Sequence, residues 1–321
     1  MAQTKRELQA VLAAAGVRLR KRFGQHFLVD GNLLNKLVRA AGIGRDDVVL
    51  EVGPGTGSLT EKLLEVSGCV VAVEIDRGLT GICRSRLGTC DRLALMGGDV
   101  LARKKAVAGE VLQRLAAERK VRGGRIILVA NLPYQVATPL LVDLLLGELT
   151  VSPMCFTVQA EVGERLLAAP GGKTYGPVSV LVQALATVKR IARVPREAFW
   201  PVPKVDSTML RVEVRDAGRP APAVRGPLAE VVHACFNYRR KTIKFSLRKL
   251  LDEATFQRVG ADGRWNLSDR PERITVAQWV ELAEFLSLES GHERAGDHGG
   301  SVGGSVSGRA VLRPGDRASS G

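Results

Sequence analysis

Cysteine is scarce in this chain of 321 residues, and what there is does not cluster. Cys69, Cys83, Cys90, Cys155 and Cys235 are odd in number and lack Cys-x-x-Cys spacing. That excludes a disulfide frame and a thiolate zinc site, and it suits reduced cytosolic thiols. The four histidines are dispersed, so no metal centre is expected. Long apolar runs are missing too. Leu140–Leu146 is broken by Asp143 and Val178–Ala186 by Gln183, well short of the ~18 unbroken residues of a membrane span. The amino terminus is basic but has no continuous apolar core before a small-residue cleavage site, so a secretory signal is not expected and a cytoplasmic location is. Acid is in deficit: 33 Asp and Glu against 47 Lys and Arg leave a net charge of +14. Such a balance points to a polyanionic partner.

The excess charge is concentrated. Arg18, Arg20, Lys21 and Arg22 crowd one stretch, and Arg239, Arg240, Lys241, Lys244, Arg248 and Lys249 another, with no acid among the second group. Read as a helix, the second stretch turns Phe236, Ile243, Leu247 and Leu250 toward a core. Arg240, Lys244 and Arg248 then recur at i, i+4 and i+8 on a different face. An unrelieved stripe repels itself unless phosphates offset it, which favours RNA contact over a merely solvated face.

Four strand-to-loop junctions carry the chemistry. Val48–Val52 runs into Gly53-Pro54-Gly55-Thr56-Gly57 and a helical pattern from Ser58. Glycines there let a ligand approach the backbone closely. Cys69–Val73 ends in Glu74, an acid about 20 residues past the glycines and suited to ribose hydroxyls. The third glycine comes too early for Gly-x-Gly-x-x-Gly, so a nucleoside cofactor without phosphates fits better than a dinucleotide. Leu93–Met96 leads to Asp99, at the carboxyl edge where open α/β sheets bind ligands and able to accept from an adenine amine. Ile126–Ala130 leads to Asn131-Leu132-Pro133-Tyr134. The Asn131 oxygen and a neighbouring carbonyl can both accept from an exocyclic amine. Pro133 stiffens the turn, and Tyr134 offers a face for base stacking.

Strands are expected near 48–52, 69–73, 93–96, 126–130 and 154–159, alternating with helices in the order of a doubly wound α/β sheet. Ser207–Val214 reads as a late edge strand and Asp216–Pro227 as a linker. Helices are expected over Ala229–Phe236, Lys241–Leu251 and Val276–Leu286. Residues 1–20 form an amino-terminal extension, and 288–321, rich in Gly and Ser, are expected to be disordered.

Five segments together resemble the ribosomal small-subunit adenine dimethyltransferases, the KsgA/RsmA family. They are Lys21–Leu28, Glu51–Gly57, Asn131–Tyr134, Phe199–Ser207 and Phe236–Thr242, in the family's order, within a similarity running from Lys21 to Leu286. The resemblance implies a Rossmann-like class I methyltransferase sheet over 21–216, its late strand antiparallel, and a small helical RNA-binding domain over 228–287. It implies S-adenosylmethionine as cofactor, held by His26, Leu28, Gly53, Glu74, Asp99 and Asn131. Asn131 would aim the target amine, with Tyr134 and Phe199 sandwiching the adenine. Arg239, Arg240, Lys241 and Lys244 would meet RNA. The implied substrate is a pair of adjacent adenosines in the 3′-terminal hairpin loop of 16S rRNA in the assembling small subunit, modified by a monomer. Two departures stand out: His26 where many relatives have Asn, and Trp200 where a smaller residue is commoner. The alternatives are an Erm-type large-subunit dimethyltransferase and a non-catalytic RNA-binding assembly factor. The Lys21–Gln25 opening and the Asn237–Thr242 segment favour the small-subunit enzyme.

Overall fold

Buried β-branched runs build the centre of the molecule. The computed structural model describes residues 3–102, 106–133 and 135–296. Its main sheet has seven strands: β1 (Val48–Val52), β2 (Cys69–Glu74), β3 (Leu93–Gly97), β4 (Ile126–Asn131), β5 (Val151–Gln159), β6 (Ala186–Val194) and β7 (Ser207–Val214), in spatial order β3-β2-β1-β4-β5-β7-β6. The first five pair in parallel, with Val48 opposite Cys69 on one side and Ile126 on the other. Every residue of β1 and β2 is buried, as strands covered on both faces require. Alternate residues serve opposite faces. Val49, Val70, Ile127 and Val129 join one core, while Val48, Leu50, Val71 and Leu128 join the other.

Among the described residues there are twelve α-helices: α1 (Lys5–Ala14), α2 (Gly31–Ala41), α3 (Ser58–Val66), α4 (Arg77–Leu87), α5 (Gly109–Arg122), α6 (Ala137–Leu146), α7 (Ala160–Leu167), α8 (Pro177–Leu185), α9 (Pro222–Phe236), α10 (Ile243–Leu250), α11 (Glu253–Asp262) and α12 (Val276–Gly296). Leu34 and Leu37 of α2 and Leu59 and Leu63 of α3 cover one face; α5, α6 and α8 cover the other. The amino-terminal extension contains α1, which opens on a capping box between Thr4 and Glu7. It packs Leu8 and Leu12 on Leu79 and Ile82 of α4. Helices α9 to α12 share an apolar core with α8, through Tyr175, Phe236 and Trp279.

Several expectations need correction. Strand β7 is antiparallel but is not the edge: it pairs with β5 on one side and β6 on the other. The edge is β6, a strand missed in the sequence because Lys189, Arg190 and Arg193 interrupt its apolar pattern. Those cations suit an edge, where they oppose pairing with another chain. The second half of the segment read as a linker, from Pro222, is helix. Pro222 sits in the first turn of α9, where its missing N–H costs nothing. Arg219 donates to the Leu145 carbonyl and Arg225 to that of Gly147, tethering the segment to the end of α6. Helix α10 starts at Ile243, its first amides donating to the carbonyls of Asp269 and Leu267. Arg240 therefore lies in the preceding turn, and the stripe from Arg240 to Arg248 is not one helix face. Disorder does not begin at Leu288, because α12 continues to Gly296. Burial of Ala283 and Leu286 and the 2.5 Å pair between Arg258 and Glu289 carry the helix past its apolar stretch. Residues 297–321 lie outside the described residues.

Candidate active site

The carboxyl ends of β1, β2, β3 and β4 open into one cleft of about 290 Å³. It lies where the chain, having built β2 and β3 to one side of β1, crosses to β4 on the other, a switch point that leaves room for a ligand. Gly53, Glu74, Asp99 and Asn131, one from the end of each strand, all line it, and His26 faces them.

Each of these groups has an identifiable anchor. Gly55 adopts φ +60°, and a Cβ there would come within 2.7 Å of the Phe27 ring, so the tight turn requires glycine. Its amide donates to Glu74 Oε2 at 3.0 Å, while Asp76 donates to Oε1 at 2.9 Å. Burial pushes the Glu74 carboxyl up, against the lowering effect of these backbone amides. Asp99 accepts from the Leu101 amide through one oxygen. Gln25 bridges the Arg20 amide and the Asp76 carboxylate, holding the amino-terminal strap across the sheet edge.

Asn131 is the most constrained of the set. Its Nδ2 donates to the His26 carbonyl at 2.7 Å, which fixes which end of the amide is the donor. Its Oδ1 accepts from the hydroxyl of Thr157, the residue beside it on β5. One lone pair of Oδ1 is left over. Meanwhile His26 Nδ1 donates to the Pro201 carbonyl at 2.6 Å. Phe27 and Leu28 pair with Trp200 and Phe199 in a short antiparallel ladder, so the strap carrying His26 and Phe27, which line the cleft, is held to the segment that precedes β7.

Three sequence expectations fare differently. Leu28 does not line the cleft; it borders a smaller cavity of about 40 Å³ behind the glycine turn. Phe199 lines neither cavity, because its ring is 2% exposed and packed in the core beneath α2. Tyr134 lies outside the described residues. Sequence reading missed Thr157, which only the β4–β5 register reveals. Also missed was Glu51, whose position in a buried strand ahead of the glycines was the available signal. Glu51 is 1% exposed, borders the smaller cavity and leaves Oε2 without a partner. Burial, reinforced by the nearby charge of Glu74, raises its carboxyl to about 8.

The family model for ribosomal RNA adenine dimethylase matches residues 16–288. The chain belongs to the ribosomal RNA adenine dimethylase family. Curated relatives include the ribosomal RNA small subunit methyltransferase A of Phenylobacterium zucineum, 39% identical over 86% of this chain and 91% of the relative. That of Moorella thermoacetica is 40% identical over 86% and 96%. Among solved structures, a dimethyladenosine transferase from Plasmodium falciparum superposes with a TM-score of 0.62 at 22% identity, covering 83% of this chain and 97% of the other. The 23S rRNA methyltransferase ErmE gives 0.57 at 22%, covering 82% and 99%. These two likenesses establish the fold. As a dimethylase of this family, the protein uses S-adenosylmethionine, and the cleft suits that cofactor. It offers a close backbone approach at Gly53 and Gly55 and carboxylates at Glu74 and Asp99, and the smaller cavity, which shares Gly53 and Asn131 with it, adds an orphaned buried acid at Glu51 that a cation would satisfy.

Proposed function

We propose that this rRNA adenine dimethyltransferase modifies two adjacent adenosines in the 3′-terminal hairpin loop of 16S rRNA within the assembling small ribosomal subunit, as a cytoplasmic monomer. The oriented amide of Asn131 at the end of the cleft carries the reading. The small-subunit name shared by the curated relatives supports it. Residues 21–216 would carry the transfer, and 228–287 would dock the RNA.

Glu74 would accept from the ribose hydroxyls and Asp99 from the adenine amine of the cofactor, with the strap through His26 over the methionine end. Bound S-adenosylmethionine supplies a methyl group already activated on a sulfonium. The work left to the protein is at the acceptor, whose N6 lone pair is delocalised into the purine. The free lone pair of Asn131 Oδ1 and the Leu132 carbonyl take the two N6 hydrogens. That favours pyramidal nitrogen and aims its lone pair, so catalysis is positioning with stabilisation of developing positive charge. No general base is assigned, because the proton becomes acidic once nitrogen is alkylated. Tyr134, by its sequence position after Pro133, would stack on the target base. Phe199, packed in the core, is given no stacking role.

Primer extension on 16S rRNA from a strain lacking the protein tests the reading. The two adjacent dimethyladenosine stops in the 3′ hairpin should vanish and return on complementation. Persistence of those stops, with loss of one in 23S rRNA, would instead establish the Erm-type activity.

Glu51 gives a second expected result. Below pH about 8 its carboxyl carries a proton in the free protein. A cationic cofactor beside Oε2 favours the carboxylate, so binding should release a proton at pH ~7 and none above pH ~9.5. Affinity should therefore rise with pH up to about 8 and then level off. Calorimetry in buffers of differing ionisation enthalpy reads this directly, and Glu51→Gln should abolish the release. Equal proton release from wild type and Glu51→Gln would remove Glu51 from the linkage.

A further inference from the structure

Among the described residues, the exposed large apolar side chains include two aromatics, Tyr238 at 41% and Phe245 at 37%, and the two touch. Their ring centroids are 5.1 Å apart in an edge-to-face arrangement. Tyr238 comes from the turn after α9 and Phe245 from the first turn of α10. Ile243, Ser246 and Leu247 take the buried side of that helix, which leaves Phe245 facing outward. In a chain with only 4% aromatic residues, this pairing outside the core is not explained by packing.

Cations frame the pair. Lys249 Nζ stands 4.7 Å from the Tyr238 centroid and 4.6 Å from that of Phe245, and Lys241 Nζ 5.9 Å from the latter. Arg240, Lys244 and Arg248 are exposed around them. No acid occurs between Phe236 and Leu251. An aromatic face bordered by unneutralised ammonium groups matches the two halves of a nucleotide, a planar base and a phosphate.

We propose that Tyr238 and Phe245 form a stacking platform for an unpaired nucleobase of the RNA substrate, a second base site outside the methyl-transfer cleft. The base lies against the exposed ring faces, and its phosphates meet Lys249 and Lys244. This rests on the small-subunit rRNA reading above and adds a specific contact to it. A platform of this kind reads unstacked RNA rather than duplex, since only an unpaired base presents a free face.

Tyr238→Leu combined with Phe245→Leu tests it, because leucine keeps apolar bulk and removes the π face. Filter binding of small subunits across a salt series should show about a tenfold loss of affinity, ~1.4 kcal/mol, at every salt concentration. The logarithmic salt slope should stay parallel to wild type, because no phosphate contact is removed. Subunits carrying 4-thiouridine should cross-link to the peptide containing Tyr238 and Phe245. Binding within about twofold of wild type would overturn the platform, as would a changed slope, or cross-linking of that peptide to a ribosomal protein instead of RNA. Failure of the broader reading looks different: wild-type protein would then neither bind the subunit nor make its dimethyladenosines.

Discussion

Asn131→Ala should yield a folded protein that still binds RNA yet transfers methyl groups on the order of a hundredfold more slowly, the usual cost of deleting one positioned group that acts in the transition state. The effect is expected in the chemical step because the amide is already immobilised. Its Nδ2 is tied to the His26 carbonyl and its Oδ1 to the Thr157 hydroxyl, so the acceptor meets the incoming amine without rearranging. Thr157 acts through Asn131. Thr157→Val should lower the single-turnover rate less than Asn131→Ala does, with little change in RNA affinity, and Thr157→Ser should restore it. Single-turnover transfer of labelled methyl into purified subunits, alongside thermal melting, separates chemistry from folding. A wild-type rate in Asn131→Ala would mean that the amine is aimed by something else. A product arrested at monomethyladenine would show that the pocket limits the second transfer.

The second large effect concerns docking. Arg240→Glu with Lys244→Glu should weaken binding to small subunits by ~10-fold or more and flatten the salt slope by roughly one to two units, since each phosphate contact releases a condensed counterion. Arg239 is left out of that pair for a structural reason. Its guanidinium donates to the Gly172 and Lys173 carbonyls and lies 3.9 Å from Glu272, so it braces the protein. Arg240, Lys241 and Lys244 are the exposed members of the set. Cofactor affinity should not change, because none of these residues lines the cleft. Filter binding at several salt concentrations decides the matter. A slope identical to wild type would make this stretch a solvated face and pass the docking role to Arg18–Arg22.

The features legible in the sequence were those that depend on neighbours along the chain. Apolar runs closing on Gly53, Glu74, Asp99 and Asn131 marked strand ends, and parallel pairing brings such ends to one edge. What escaped depends on partners distant in sequence. Thr157 matters through its register with Asn131, and β6 is a strand because β7 offers it an edge. Family resemblance assigns Phe199 to the base sandwich, but pairing with Leu28 draws it into the core. The Arg240–Arg248 stripe failed as a single helix because tertiary contacts with the carbonyls of Leu267 and Asp269 start α10 later than the charge pattern suggests.

The placement of β7 between β5 and β6 governs how the protein can be made. As the chain leaves the ribosome, β5 emerges before β7 and has β4 on only one flank. Its other flank stays open until Ser207–Val214 has been synthesised. Likewise, the ladder from Phe27 to Trp200 waits for a stretch more than half a chain away. No amino-terminal fragment ending before Val214 can be a finished catalytic unit, and ribosome-arrested chains halted there should remain protease-sensitive along β5. A gene split for fragment complementation is therefore best cut after β7, where every strand of the main sheet already has its partners.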